Sequence, residues 1–179
     1  MALLPIVKFP DPLLQERSEE VREFNDELKT FVQDMSDTMY AAPGVGLAAV
    51  QVGVLKRILV LDPHAGDADS HIEVYINPVI LESRGEQVCE EGCLSLPDFS
   101  EEVKRKEWIR VRHHTLDGEV KEVELEGFHA VILQHELDHL DGILATDRIS
   151  RIRRALYVRR RMKAAREEAQ KQGRKEARV

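Results

Sequence analysis

No stretch of apolar residues in this chain approaches the roughly 20 needed to span a bilayer, which excludes a transmembrane helix of the usual kind. Cysteine is scarce too. The two present, Cys89 and Cys93, lie four positions apart and cannot make a disulfide framework. In a reducing compartment such cysteines are buried, metal-bound or catalytic. Met1–Pro10 lacks the basic start, long apolar centre and small-residue cleavage site of a signal peptide, and it lacks the Arg- and Ser-rich character of a transit peptide. The expected location is the cytoplasm. There is no internal repeat and no interdomain linker. At 179 residues with 42% hydrophobic content, the sequence predicts one domain over 1–179, long enough to bury a core.

The formal net charge of −7 conceals an asymmetry. Residues 1–147 hold 13 Lys and Arg against 30 Asp and Glu, whereas residues 148–179 hold 13 against 3. An acidic body therefore carries a basic tail, the part suited to a polyanionic partner. Nothing in it implies sequence-specific DNA binding.

Hydrophobic periodicity gives the elements. Asn25 is a helix N-cap followed by Asp26 and Glu27, and Leu28, Phe31, Val32, Met35 and Met39 recur at helical spacing up to about Ala42, before Pro43-Gly44. Arg57–Asp62 reads as a buried strand, and Ile72–Leu81 as another, interrupted at Asn77-Pro78. Trp108–His114 alternates, Asp117-Gly118 marks a tight turn, and Val123 and Leu125 resume the alternation, which makes a hairpin ended by Gly127. A second helix is expected from Phe128 to Asp141, closed by Gly142. A third, basic helix over 150–172 carries Ile152, Leu156 and Met162 as a narrow apolar stripe, and 173–179 reads as a flexible tail. Strands followed by helices imply an α+β domain with mixed or antiparallel sheets.

His135-Glu136-Leu137-Asp138-His139 is the most informative stretch. Histidines four apart on a helix lie about 400° apart in rotation, on nearly one face, and can share a divalent ion. Glu136 can then act as general base in metal-assisted hydrolysis. Alone, the pattern also fits a solvated helix with incidental histidines. Two histidines leave an ion under-coordinated, and no third ligand follows at metalloprotease spacing. Cys93, in Glu91-Gly92-Cys93-Leu94-Ser95, is the best remaining candidate, although a buried structural thiol is the plainer reading of a single cysteine. Gly44-Val-Gly-Leu-Ala-Ala-Val-Gln51 follows a helix rather than a strand and is a poor phosphate cradle. Its small residues allow close backbone approach to a ligand, and Gln51 offers an uncharged donor.

Gly44–Gln51, Glu91–Ser95 and Gln134–Gly142, complete and in order, resemble the three motifs of the peptide deformylases, and the likeness runs from about Pro5 into the C-terminal helix. The resemblance implies a metal-dependent hydrolase that removes the N-formyl group from the formylmethionine of new polypeptides and releases formate. It implies sheets packed around a central helix bearing the histidines, with N- and C-terminal helices beside it. Carried over by the resemblance, Cys93, His135 and His139 hold one divalent ion, natively Fe²⁺ and replaceable by Zn²⁺, Ni²⁺ or Co²⁺. Glu136 is the acid/base, and Gln51 with the backbone N–H of Leu94 stabilises the oxyanion. Val45, Gly46, Phe128, Val131 and Ile132 are candidates for the methionine pocket, and the basic helix for docking on the ribosome near the tunnel exit. Asp98-Phe99-Ser100 stands where many relatives carry a substrate-contacting arginine, and Ala145 replaces a common phenylalanine. Arg105 reads as a surface charge, and His64, His71, His113, His114 and His129 as surface or strand residues. A metallopeptidase and a non-catalytic ribosome-binding module remain the alternatives.

Overall fold

The computed structural model describes residues 2–176. Helix α1 spans Asp26–Ala41. Asn25 caps it, its Oδ1 accepting from the Leu28 amide at 3.0 Å, which satisfies one of the unpaired donors of the first turn. Leu28, Val32, Met35 and Met39 form the buried stripe. The chain then makes a short strand β1 (Gly46–Ala48), a 3-10 turn over Ala49–Val52, and β2 (Ile58–Leu61).

Strand β3 runs Glu73–Arg84, past the end expected near Leu81. The interruption at Asn77-Pro78 is a bulge: the pairing register shifts between Ile76 and Val79, with Asn77 in the left-handed region at φ 52°. Asn77 uses this geometry to accept from the Val21 amide and donate to the Val21 carbonyl, both at 2.8 Å. Beyond the bulge the strand continues because Arg84 pairs with Trp108 and lays its guanidinium 3.7 Å from the indole centroid.

Strands β4 (Gln87–Cys93) and β5 (Leu96–Arg105) form a separate two-stranded sheet. The hairpin β6 (Trp108–His114) and β7 (Val120–Glu126) turns at Asp117-Gly118 as expected, with Gly118 at φ 82°. The larger sheet has the order β1-β2-β3-β6-β7, and the strand pairs of both sheets are antiparallel.

Helix α2 spans Gly127–Leu140 and ends at Gly142, φ 72°. Its side chains are buried almost all round, so it lies inside the molecule. Strand β2 explains why. Leu59 and Leu61 face a cluster with Ile132, Leu133 and Leu140 of α2, whereas Ile58 and Val60 face a cluster with Val32, Met35 and Met39 of α1. The five-stranded sheet is thus covered by a helix on each side.

Helix α3 spans Arg151–Glu176, so the first four residues of the flexible tail expected over 173–179 continue the helix, and 177–179 lie outside the described residues. A third cluster seats it on β5. Tyr157 stands edge-on to Phe99 with centroids 5.4 Å apart, and its hydroxyl donates to the Pro97 carbonyl at 2.9 Å. The Ile152–Leu156 stripe does not meet the body: these residues are 75% and 63% exposed.

Leu133, fully buried between sheet and helix, tests this arrangement. Leu133→Ala is expected to lower unfolding free energy by about 2–5 kcal/mol in denaturant titration. A change below about 1 kcal/mol would mean that α2 does not form the core.

Candidate metal centre

Helix α2 brings His135 and His139 onto one face, with ring centroids 5.0 Å apart and an interplanar angle of 70°. Strand β4 ends on Cys93, where its register with β5 shifts after Glu91. Alternation puts Cys93 on the same inward face as Glu91, two residues back, with Sγ 3.3 Å from His139 Nε2. One ligand atom from each of Cys93, His135 and His139 lies within 4.8 Å of the others. A tetrahedral ion with bonds of about 2.3 Å to sulfur and about 2.1 Å to nitrogen separates those donors by about 3.6 Å. The three side chains therefore fit a single divalent ion.

The surroundings prepare these donors. Glu91 Oε2 lies 2.8 Å from His135 Nδ1, which turns the other ring nitrogen toward Cys93 and His139. Arg105 grips Glu91 in a bidentate pair, Nε and Nη2 donating at 2.7 and 2.9 Å, and its Nη1 donates to Asp138 at 2.5 Å. Arg148 completes the row, donating to both Asp138 oxygens at 3.0 and 2.6 Å. Burial pushes the Glu91 carboxyl up, but its bonds to Arg105 and His135 prevail and hold it down at about 2. Burial keeps His139 well below its ordinary range, so this ring is neutral and its lone pair is available to a cation. For His135 burial is outweighed by the bonds to Cys93 and Glu91, which raise it. A cation would displace the proton held there, as metal binding commonly does.

The other predicted residues gather round. Burial pushes Glu136 up to about 7, and its Oε2 has no protein partner. Gln51 is fixed by the Ala48 amide, which donates to its Oε1 at 2.8 Å. Its Nε2 then points at Ser95 Oγ (3.1 Å) and Cys93 Sγ (3.8 Å). A cavity of about 370 Å³ opens on the group. Its walls include Val45, Gly46, Leu94, Phe128, Val131 and Ile132, so the structure brings every predicted pocket residue to one place. Gly46 is needed there for space, since a Cβ would stand 2.6 Å from Glu136 Oε1 and 2.9 Å from Ile132.

Two readings change. Arg105 is not a surface charge: its side chain is 3% exposed and held by two carboxylates. The signal was available, since Phe99, Val103 and Arg105 alternate onto the inward face of β5. Glu91 and Asp138, which carry that arginine, stood inside the motifs without an assigned part. Cys89, on β4, also lines the cavity. Among the described residues none of the five histidines outside the motif joins the Cys93, His135 and His139 cluster, but two are structural. His129 contacts Glu73 at 2.9 Å, and His113 is buried against Tyr75 at 4.4 Å between centroids.

Comparison with known proteins agrees with this geometry. A model of the family described as polypeptide deformylase matches residues 3–155. The chain belongs to that family. A peptide deformylase of Acidobacterium capsulatum is 49% identical over 160 residues, covering 89% of this chain and 94% of the relative. One from Thermodesulfovibrio yellowstonii is 47% identical, covering 88% and 95%. Among solved structures, a peptide deformylase from Legionella pneumophila superposes with a TM-score of 0.85 at 40% identity, covering 94% of this chain and 98% of that one. One from Ehrlichia chaffeensis, solved in complex with actinonin, gives 0.85 at 35% identity, covering 92% and 98%. Membership carries the activity with it: metal-dependent removal of the N-formyl group from nascent peptides.

Arg105→Met is expected to cost about 3–5 kcal/mol of stability, because it leaves the buried Glu91 without its counter-charge while Asp138 keeps only Arg148. Thermal unfolding of the metal-free protein measures this. A loss below about 1 kcal/mol would show the pair to be solvated.

Proposed function

We propose that formyl-methionyl peptides enter this cavity and are deformylated by Glu136, Gln51 and Leu94 beside an ion held by Cys93, His135 and His139. The observation that carries the reading is the convergence of three donors on one point beside a buried carboxylate with a free oxygen. One thiol and two imidazoles suit Fe²⁺ as the native ion, with Zn²⁺, Ni²⁺ or Co²⁺ able to replace it. When bound, the ion supplies Lewis-acid polarisation of the formyl group and eases deprotonation of water.

The chain's own groups do the rest. Glu136 takes the proton of the attacking water at its free Oε2 and returns it to the leaving amine. Before any ion is bound, burial raises this carboxyl to about 7, and a carboxylate is able to serve in both transfers. Gln51 Nε2, oriented by the Ala48 amide, donates to the oxygen where negative charge develops, and the Leu94 N–H is the second donor. An amide donor carries no charge to compete with the cation. Val45, Gly46, Phe128, Val131 and Ile132 take the methionine side chain. Its burial anchors the formyl carbon against the donors and keeps bulk water from Glu136.

A thiol ligand beside Gln51 speaks against the metallopeptidase alternative, and an intact Glu136 against a non-catalytic module. Among the described residues no helix is long and apolar enough to cross a membrane. We place the enzyme in the cytoplasm, with α3 docked on the ribosome near the tunnel exit through phosphate contacts.

Glu136→Gln is expected to keep its metal, by elemental analysis, while kcat on formyl-Met-Ala falls by about 10²–10⁴; Cys93→Ala should lose the metal. Near wild-type turnover in Glu136→Gln would refute the assignment. The triple change Arg159→Glu, Lys163→Glu and Arg166→Glu should abolish co-sedimentation with ribosomes at physiological salt and leave formyl-Met-Ala turnover unchanged. Undiminished co-sedimentation would exclude α3 as the docking element.

A further inference from the structure

Helix α3 has an unpartnered face. Tyr157 is 4% exposed and Arg161 8%, and these point into the body. At 100° per residue, Ile152, Leu156, Arg159 and Lys163 fall on one stripe that faces away from Tyr157. Two large aliphatics lead the stripe and two cations follow. Neither Arg159 nor Lys163 makes an ion pair among the described residues, unlike Arg153 (to Glu101) and Arg154 (to Asp147) on the inward side. Contact with phosphates uses the cations but gives no reason for two exposed aliphatics. Such a stripe fits an apolar trough with acidic walls.

The body has one. Between α1 and the segment before it runs a groove of about 910 Å³. Leu28, Phe31 and Val54 floor it; Glu19, Glu20, Glu23 and Glu27 outnumber Arg22 and Lys56 on its walls, Lys56 is paired with Glu19, and Glu20, Glu23 and Glu27 make no ion pair among the described residues. The stripe cannot reach its own groove by turning inward, because Arg153, Arg154 and Tyr157 hold the first turns of α3 on β5 and on the 3-10 turn before it. Both features are nevertheless tied to the end of α2. The Ser18 amide donates to the Leu140 carbonyl just before the groove segment, and residues 141–150 lead from α2 into α3. A closed pair of copies exchanges both contacts about a two-fold axis, the commonest closed arrangement of two copies.

We propose that the groove beside α1 takes the outward stripe of α3 from a second copy of this chain, forming a salt-sensitive dimer. The claim is independent of the reaction at the metal centre. It makes self-association and ribosome docking through Arg159 and Lys163 mutually exclusive, so the free enzyme stores its basic helix against a protein surface.

Sedimentation equilibrium of the full chain tests it at about 0.05 M and about 0.5 M salt, where screening lengths are several-fold apart. The expected mass is twice that of the chain at low salt and falls to the monomer at high salt. Two double variants, Glu20→Lys with Glu23→Lys, and Arg159→Glu with Lys163→Glu, should each be monomeric, since each sets like charges across both contacts. Mixed, they should form a heterodimer of twice the chain mass, because both contacts become complementary again. Unchanged turnover on formyl-Met-Ala certifies that the variants are folded. A wild-type monomer at low salt, a dimer that survives either pair of changes, or a mixture that stays monomeric would each overturn the proposal.

Discussion

The buried carboxylate of Glu91 joins the two halves of the site. It belongs to the small sheet, through β4, and it touches a ring of the central helix, through His135. Moving a carboxylate from water into a protein costs several kcal/mol unless charge and hydrogen bonds replace its hydration. Arg105 provides both, with two parallel bonds and full burial of the guanidinium. Arg105 brings one positive charge to two carboxylates, Glu91 and Asp138, and Arg148 supplies the second. The row balances in charge and fixes how far the small sheet stands from α2. That spacing decides whether Cys93 meets the two imidazoles.

The rest of the fold serves this distance. The large sheet, buried on both faces at β2, gives α2 a rigid seat, and β1 at its edge carries Gly46 against Glu136. A side chain at Gly46 would push the helix away from the strand. Close packing of this kind is stiff, so displacements of a few tenths of an ångström are resisted by many neighbours at once. Strand β4 contributes by plain alternation: Glu91 and Cys93, two residues apart, both face inward, while its pairing with β5 shifts register between them.

Much of this was legible from residue order. Asn25 marked the start of α1, Asp117-Gly118 the β6–β7 turn and Gly142 the end of α2, each through backbone chemistry that acts within a few residues. The two histidines and Glu136 were legible because helical spacing converts directly into geometry. The inward face of Arg105 was legible from alternation along β5, but its partners were not, because they lie 14 and 33 positions away and only the pairing of β4 with β5 and the packing on α2 bring them together. The direction of α3's apolar stripe was hidden for a related reason. Periodicity reveals that Ile152 and Leu156 share a face but not which face meets the body, and Tyr157 and Arg161 took that role. Strand β1 and the two-stranded sheet escaped the pattern because three residues are too few to show a period, and a bulge interrupts the other.

The central claim is that one sulfur and two imidazole nitrogens bind the same ion. X-ray absorption spectroscopy of the protein loaded with Zn²⁺ tests it most directly. The account predicts a shell of one sulfur at about 2.3 Å with two histidine nitrogens at about 2.0–2.1 Å. A spectrum fitted by nitrogen and oxygen alone, with no sulfur in the first shell, would contradict it.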